Sequence, residues 1–284
     1  MAKKNTKSPD EMSFLDHLEE LRWHLIRSVL AIVIIASVAL LMSDFLFDTI
    51  LFGPKSMDFP TYRFLCKMGN FVGIESDFCA DELPFIIQSR EMSGQFSAYI
   101  WTSIWVGFIV GFPYLLYEMW KFISPGLHPN ERKHSRGFIF TASLLFFTGA
   151  LFGYYLVAPL SINFLGTFTV SSQVSNNIDL ASFISTVRTS VVACGLIFEL
   201  PIIVYFLTKV GLVTPEILKK YRKISLVVVL IIAAVVTPPD VVSQILVALP
   251  ILVLYQISIY ISRRVLKNEA KREAKLAAKR AKKS

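Results

Sequence analysis

The stretch "ISLVVVLIIAAVVTPPDVVSQ" (residues 224–244) decides how this chain is read. Its first part, residues 224–236, is 13 residues of almost unbroken Leu, Ile, Val and Ala, and it stops at Thr237-Pro238-Pro239. As helix, such a run covers about 20 Å, against about 30 Å of bilayer hydrocarbon. It is too apolar for a surface helix and short for a span. The two prolines predict a tight structural turn, and Asp240 stands where it can cap the next helix. A second apolar run, residues 241–262, follows, with Ser243 and Gln244 in its first turn and Pro250 in its middle. The pair reads as short fifth and sixth spans beside a locally thinned bilayer, or as a re-entrant hairpin. Both give the same sidedness.

Four more apolar runs precede it, at about residues 25–45, 97–120, 137–160 and 186–208. Each has roughly the 20 residues a membrane-crossing helix needs. The 284 residues are 54% hydrophobic and only 18% charged, where soluble domains carry about 25% charge. The 23 phenylalanines suit a lipid-facing surface. The fold class is therefore all-α: a polytopic membrane protein with six transmembrane helices, of which 5 and 6 are short. The parse is an amphipathic N-terminal segment (1–24), a six-helix membrane domain (25–262) and a basic tail (263–284). No internal repeat is visible, which disfavours inverted-repeat transporter folds.

Lys and Arg set the orientation. The N-terminal segment holds five, the loop after span 2 four, the linker after span 4 five and the tail ten. The opposite side holds five in all. Both termini are thus expected in the cytoplasm. No small-residue cleavage site follows the first run, so the first span is expected to stay as an anchor. The tail carries only two acids and few large apolar residues. It is expected to be disordered, or to form a basic helix at an anionic membrane surface, and not to bind nucleic acid.

The first outer loop, residues 46–96, is acidic, with Asp58, Glu75, Asp77, Asp81, Glu82 and Glu91. It also holds Cys66 and Cys79, which can pair if the loop faces an oxidising compartment. Cys194 lies within an apolar run. In the second outer loop, Asp179 is placed to cap a short interfacial helix.

Four stretches carry chemistry. In "EMSFLDHLEELRWHLIRS" (11–28), Phe14, Leu18, Leu21 and Leu25 form an apolar stripe at helical spacing, with Ser13 or Asp16 as the cap. Asp16, Glu19, Glu20 and Arg22 lie off the stripe, as the solvated face of an amphipathic lead-in helix would. In "FISPGLHPNERKH" (122–134), Pro125, Gly126 and Pro129 stiffen the chain. Glu131 follows where the dipole of the next helix favours an acid. In "CGLIFELPIIVYF" (194–206), Glu199 is a carboxyl near mid-span, costly there and a functional candidate by default. The fourth stretch is the "TPPDVVSQ" turn. The sequence has no Gly-rich phosphate loop, no metal-ligand spacing and no nucleophile with a base, so no cofactor, ATPase or hydrolase activity is expected. Among His17, His24, His128 and His134 no pair has metal-ligand spacing within one helix. A competing reading is a secondary transporter of a small solute or ion, with Glu199 as its proton or cation site.

Taken together, "HLEELR" (17–22), "FISPGLHPNER" (122–132), "FELP" (198–201) and "TPPDVVSQ" (237–244) resemble the TatC family, the multispanning subunit of the twin-arginine protein translocase. The pieces come in the family's order, and the resemblance runs from about Met12 to Arg264. The chain departs in its long, cysteine-bearing first outer loop, in its basic tail, and at Trp23-His24, where a basic residue is common. The resemblance implies a concave bundle in the bacterial inner membrane, without enzymatic activity. It implies binding of signal peptides that carry an arginine pair, and hand-over of folded cargo with TatA/TatB-type single-span subunits under the proton-motive force. A homo-oligomer in the receptor complex and contact with membrane lipids are also implied. Glu20 and Glu131 match the family's signal-peptide glutamates, with Phe122, Pro125, Leu127, Arg22 and Arg132 around them. Glu199 and Gln244 are implied as intramembrane partner contacts.

Two planar guanidinium forks suit two separated carboxylates, each taking one through charge-assisted, bidentate bonds that lysine cannot reproduce. A proline-stiffened loop lowers the ordering cost of that binding.

Overall fold

The structure, a computed structural model, describes residues 14–72, 79, 82–123, 135–171, 173–174, 176–236 and 241–281. Its order is α1 (Phe14–Leu41), a π-helical turn (Phe45–Leu51), α2 (Pro60–Val72), β1 (Ile86–Gln88), α3 (Gly94–Ile123), α4 (Ser135–Phe152), a second π-helical turn (Gly153–Val157) and α5 (Ala158–Thr167). There follow β2 (Asn177–Asp179), α6 (Leu180–Phe198), α7 (Leu200–Lys209), α8 (Pro215–Lys220), α9 (Arg222–Val236) and α10 (Val241–Ala281). Among the described residues, five stretches are long and apolar enough to cross a membrane: Leu18–Leu41, Gly94–Phe122, Gly137–Thr167, Leu180–Lys209 and Gln244–Lys275. They occupy the expected spans 1 to 4 and 6. The expected fifth is α9, whose 15 residues cover only about 22 Å. The chain is an all-α, multi-pass membrane protein.

The helices form two compact units. The first takes in residues up to Gly53, Ile87–Leu144 and Ile178–Ile184. In it α1 lies along α3, and glycine permits the approach. A Cβ on Gly107 would stand 2.6 Å from the Ile32 carbonyl oxygen, and one on Gly111 3.3 Å from Ile35. This is a G-x-x-x-G contact, the small-residue packing that apolar solvent favours because backbones can then touch. Tyr99 donates to the Leu40 carbonyl at 2.8 Å near one end. The lead-in helix and the first span are one continuous α1. Asp179 caps α6 itself rather than a separate interfacial helix: it accepts from the Ala181 N–H at 3.1 Å and from the Arg90 N–H at 3.3 Å. Span 4 therefore starts at Leu180, earlier than the apolar count gives, because the polar first turn is already helical.

The second unit takes in Pro54–Ile86, Leu145–Asn177 and the chain from Ser185. Its core joins Val157, Cys194, Val229, Ala233, Val247, Ala248 and Ile251. Again glycines open the crossing: a Cβ on Gly149 would stand 2.6 Å from the Cys194 carbonyl oxygen, and Gly153 lies against the Ser190 backbone. Gly211, at φ 79°, ends α7. Its N–H bonds the Thr208 carbonyl and the Leu212 N–H bonds the Leu207 carbonyl, a glycine stop that satisfies the last carbonyls. Thr214 then caps α8 through the Ile217 N–H. α10 runs on to Ala281, so of the two forms expected for the tail, disordered or a basic helix, it takes the helix from Arg263 to Ala281. Thr208 to Ser262 at 2.9 Å and Lys209 to Glu269 at 3.0 Å fasten its first turns to α7. The Ala, Lys, Glu and Leu beyond are strong helix formers.

Candidate functional site

In the first unit, Glu20 and His24 are four residues apart on α1 and so lie on one face. His24 is buried, and its Nδ1 donates to Glu118 Oε2 on α3 at 2.5 Å. Glu118 is only 2% exposed. A lone carboxylate so buried is costly, and cations meet this one. Lys121 Nζ stands 3.6 Å from Oε1, and Arg27 Nη1 4.0 Å from Oε2. Lys121 also sits over the Tyr117 ring, 4.3 Å from its centre. The Phe122 ring, half-buried, meets the His24 imidazole edge-on at 6.4 Å.

One turn toward the N-terminus, Glu20 is half-buried. Its Oε2 is shielded from solvent and has no hydrogen-bond partner among the described residues. An ionised carboxyl offers about four acceptor positions, so this oxygen has capacity for an added donor. Arg22 is exposed beside it. Glu20, Arg22 and Phe122 are thus placed at one end of the α1–α3 pair. Pro125, Leu127, Glu131 and Arg132 lie outside the described residues, as do Pro238, Pro239 and Asp240.

The sequence reading missed Glu118. The signal was present: an acid within the apolar run of span 2, three residues before a lysine. It also read Trp23-His24 as a loss of positive charge. The structure gives His24 a partner instead.

In the second unit, Glu199 sits at the break between α6 and α7. Pro201 has no N–H for the helical ladder. The Glu199 carbonyl accepts from the Ile202 and Ile203 N–H groups, so helix resumes at once. The side chain is buried, and Oε1 has no hydrogen-bond partner among the described residues. Gln244 donates from Nε2 to the Leu230 carbonyl at 3.2 Å, which ties α10 to α9. At least one of its donors is therefore used within the chain. Cys66 and Cys79 are joined in a disulfide. Cys194 is a buried free thiol. Among the described residues no group of three or more His, Cys, Asp or Glu is set to hold a metal.

Comparison with known proteins agrees with this architecture. The family model described as Sec-independent protein translocase protein (TatC) matches residues 16–250. The chain is 45% identical over 260 residues to the TatC protein of Blattabacterium sp. subsp. Periplaneta americana (strain BPLAN), covering 91% of this chain and 97% of that one. It is 34% identical over 253 residues to TatC of Aquifex aeolicus (strain VF5), covering 89% and 95%. A crystal structure described as the twin arginine translocase receptor TatC superposes with a TM-score of 0.66 at 32% identity, over 88% of this chain and 99% of that chain. With a family model across most of its length and full-length relatives on both counts, the chain belongs to the TatC family, a membrane component of the Sec-independent protein translocase.

Proposed function

We propose that this chain is the signal-peptide receptor of a twin-arginine translocase. It lies in a bacterial inner membrane with both termini in the cytoplasm. It binds the arginine pair of a folded precursor's signal peptide, and with TatA/TatB-type subunits it supports export driven by the proton-motive force. One guanidinium bonds Glu20 and the other Glu131, with Phe122, Pro125, Leu127, Arg22 and Arg132 around them. The observation that carries the reading is the Glu20 carboxylate oxygen. Among the described residues it is shielded and unpartnered, one turn from the anchored His24–Glu118 pair, in a member of the TatC family.

A guanidinium adds two parallel charge-assisted bonds to such an oxygen pair. Desolvation of the site raises the strength of those bonds relative to bulk water. Glu199 is assigned to a partner helix: a buried carboxyl oxygen with an open acceptor position suits a polar side chain on a single-span subunit.

The test is export of a reporter fused to a twin-arginine signal, in cells lacking their own TatC. The wild-type chain restores export and Glu20→Ala does not. Full export by Glu20→Ala at equal protein level would overturn the assignment.

A further inference from the structure

We propose that α2 is a lipid-binding helix. It lies in the headgroup boundary on the face opposite the Lys/Arg-rich loops, with Phe64, Met68 and Phe71 among the acyl chains and Lys67 and Arg63 toward lipid phosphates. The inference rests on the sidedness above but not on signal-peptide binding.

α2 has three distinct faces. One is buried in the second unit. The Tyr62 hydroxyl reaches the Pro54 carbonyl at 3.1 Å and the Pro159 carbonyl at 2.8 Å, and the Thr61 hydroxyl bonds the Tyr155 carbonyl. Phe59, just before the helix, stacks on Tyr155 at 5.5 Å. The disulfide ties Cys66 to Cys79 on this same side of the helix. The second face is apolar and open: Phe64, Met68 and Phe71 follow at four and three residues and are 60%, 50% and 92% exposed. The third carries Arg63, Lys67 and Asn70, all exposed. Arg63 pairs with Asp58 at 2.8 Å, but both are well exposed. Such a pair holds its arginine weakly, so phosphate can compete for it.

Depth identifies the occupant. Tyr155, which α2 grips, lies two residues before Val157. Val157, between Tyr155 and Pro159, packs with Val229, Ala233 and Val247, and Ala233 is three residues from the end of α9. So α2 stands level with the end of the short α9, at the bilayer boundary. In the same unit the apolar side chains of Leu151 and Tyr155 are also open, at 55% and 45% exposed. An apolar stripe beside basic residues at that depth is the pattern of a helix lying in the interface, with long basic side chains reaching the headgroups.

The experiment places nitroxide labels at Phe64→Cys, Met68→Cys and Asn70→Cys, each in a Cys194→Ser background with the disulfide intact. The protein is reconstituted in phosphatidylethanolamine/phosphatidylglycerol vesicles. Collisions with oxygen, which enters the acyl region, are compared with those of a water-soluble nickel chelate. The proposal expects oxygen to exceed nickel at 64 and 68, and nickel to exceed oxygen at 70. It is overturned if nickel dominates at all three, which means water. It is also overturned if the labels at 64 and 68 are immobilised and shielded from both agents, which means a protein partner such as a second copy.

Discussion

His24 and Glu118 meet at 2.5 Å between α1 and α3, and both are buried. The bond fixes the rotation of α1 about its own axis. It thereby aims Glu20, one turn away on the same face. The close approach at Gly107 serves the same end further along the helix pair. A receptor carboxylate on a helix so held has less freedom to lose when it binds, which is how preorganisation gains affinity.

Breaking this pair on one side should cost more than removing it whole. Glu118→Ala leaves a buried imidazole without its acceptor, and one-sided loss of a buried pair costs about 3–5 kcal/mol. Glu118→Leu combined with His24→Leu should recover much of that. Thermal unfolding in detergent measures both. Additive losses in the double variant would mean the two residues act separately.

The glycine crossings make a second stability prediction. Gly149→Leu and Gly107→Leu drive a side chain into the facing backbone, so helices must separate or tilt. Overpacking of this kind costs about 1–3 kcal/mol. Both variants should melt lower than wild type, whereas Gly137→Leu, with nothing within 4 Å of its Cβ position, should not. Equal melting of all three would contradict the crossing geometry.

Thiol counting checks the outer loop. The chain has three cysteines. Denatured without reductant it should take one maleimide, at Cys194, and after reduction three. Closing a loop of 13 residues is worth about 3 kcal/mol in the chain-entropy account, so reduction should lower the unfolding temperature. Three labels before reduction would show that the bridge is absent.

How much of this was legible in the sequence follows from where each signal lies. Apolar run length located the five stretches long enough to cross a membrane, because lipid leaves a helix little alternative but to be apolar for its whole crossing. The short α9 and the proline at Glu199-Leu200-Pro201 were readable for the same reason: both are local. The His24–Glu118 pair was not, since its partners are 94 residues apart and only packing brings them together. Gly149 and Gly153 sit in plain view at a spacing of four, yet which backbone they meet depends on the crossing. Composition left the tail open between disorder and a basic helix, and the structure shows it as helix. Its few anchors, Ser262, Val265 and Glu269, are scattered one turn apart, and their partners on α7 are more than fifty residues earlier.

Glu199 yields a prediction about assembly. Glu199→Gln keeps a hydrogen-bonding carbonyl in place and should retain cross-linking to a TatA/TatB-type subunit, together with most export. Glu199→Ala should lose both. Identical behaviour of the two variants would remove the hydrogen-bonding role.

The most direct test of the receptor assignment is binding of a twin-arginine signal peptide to the purified, detergent-solubilised chain, beside a twin-lysine peptide. We expect the arginine peptide to bind more tightly, by an amount matching loss of a bidentate charged bond, about 1.5–3 kcal/mol or roughly 10- to 150-fold. Glu20→Ala and Glu131→Ala should each reduce that preference, and the double substitution should abolish it. Equal affinity for the two peptides, or an arginine preference that survives both substitutions, would contradict the account.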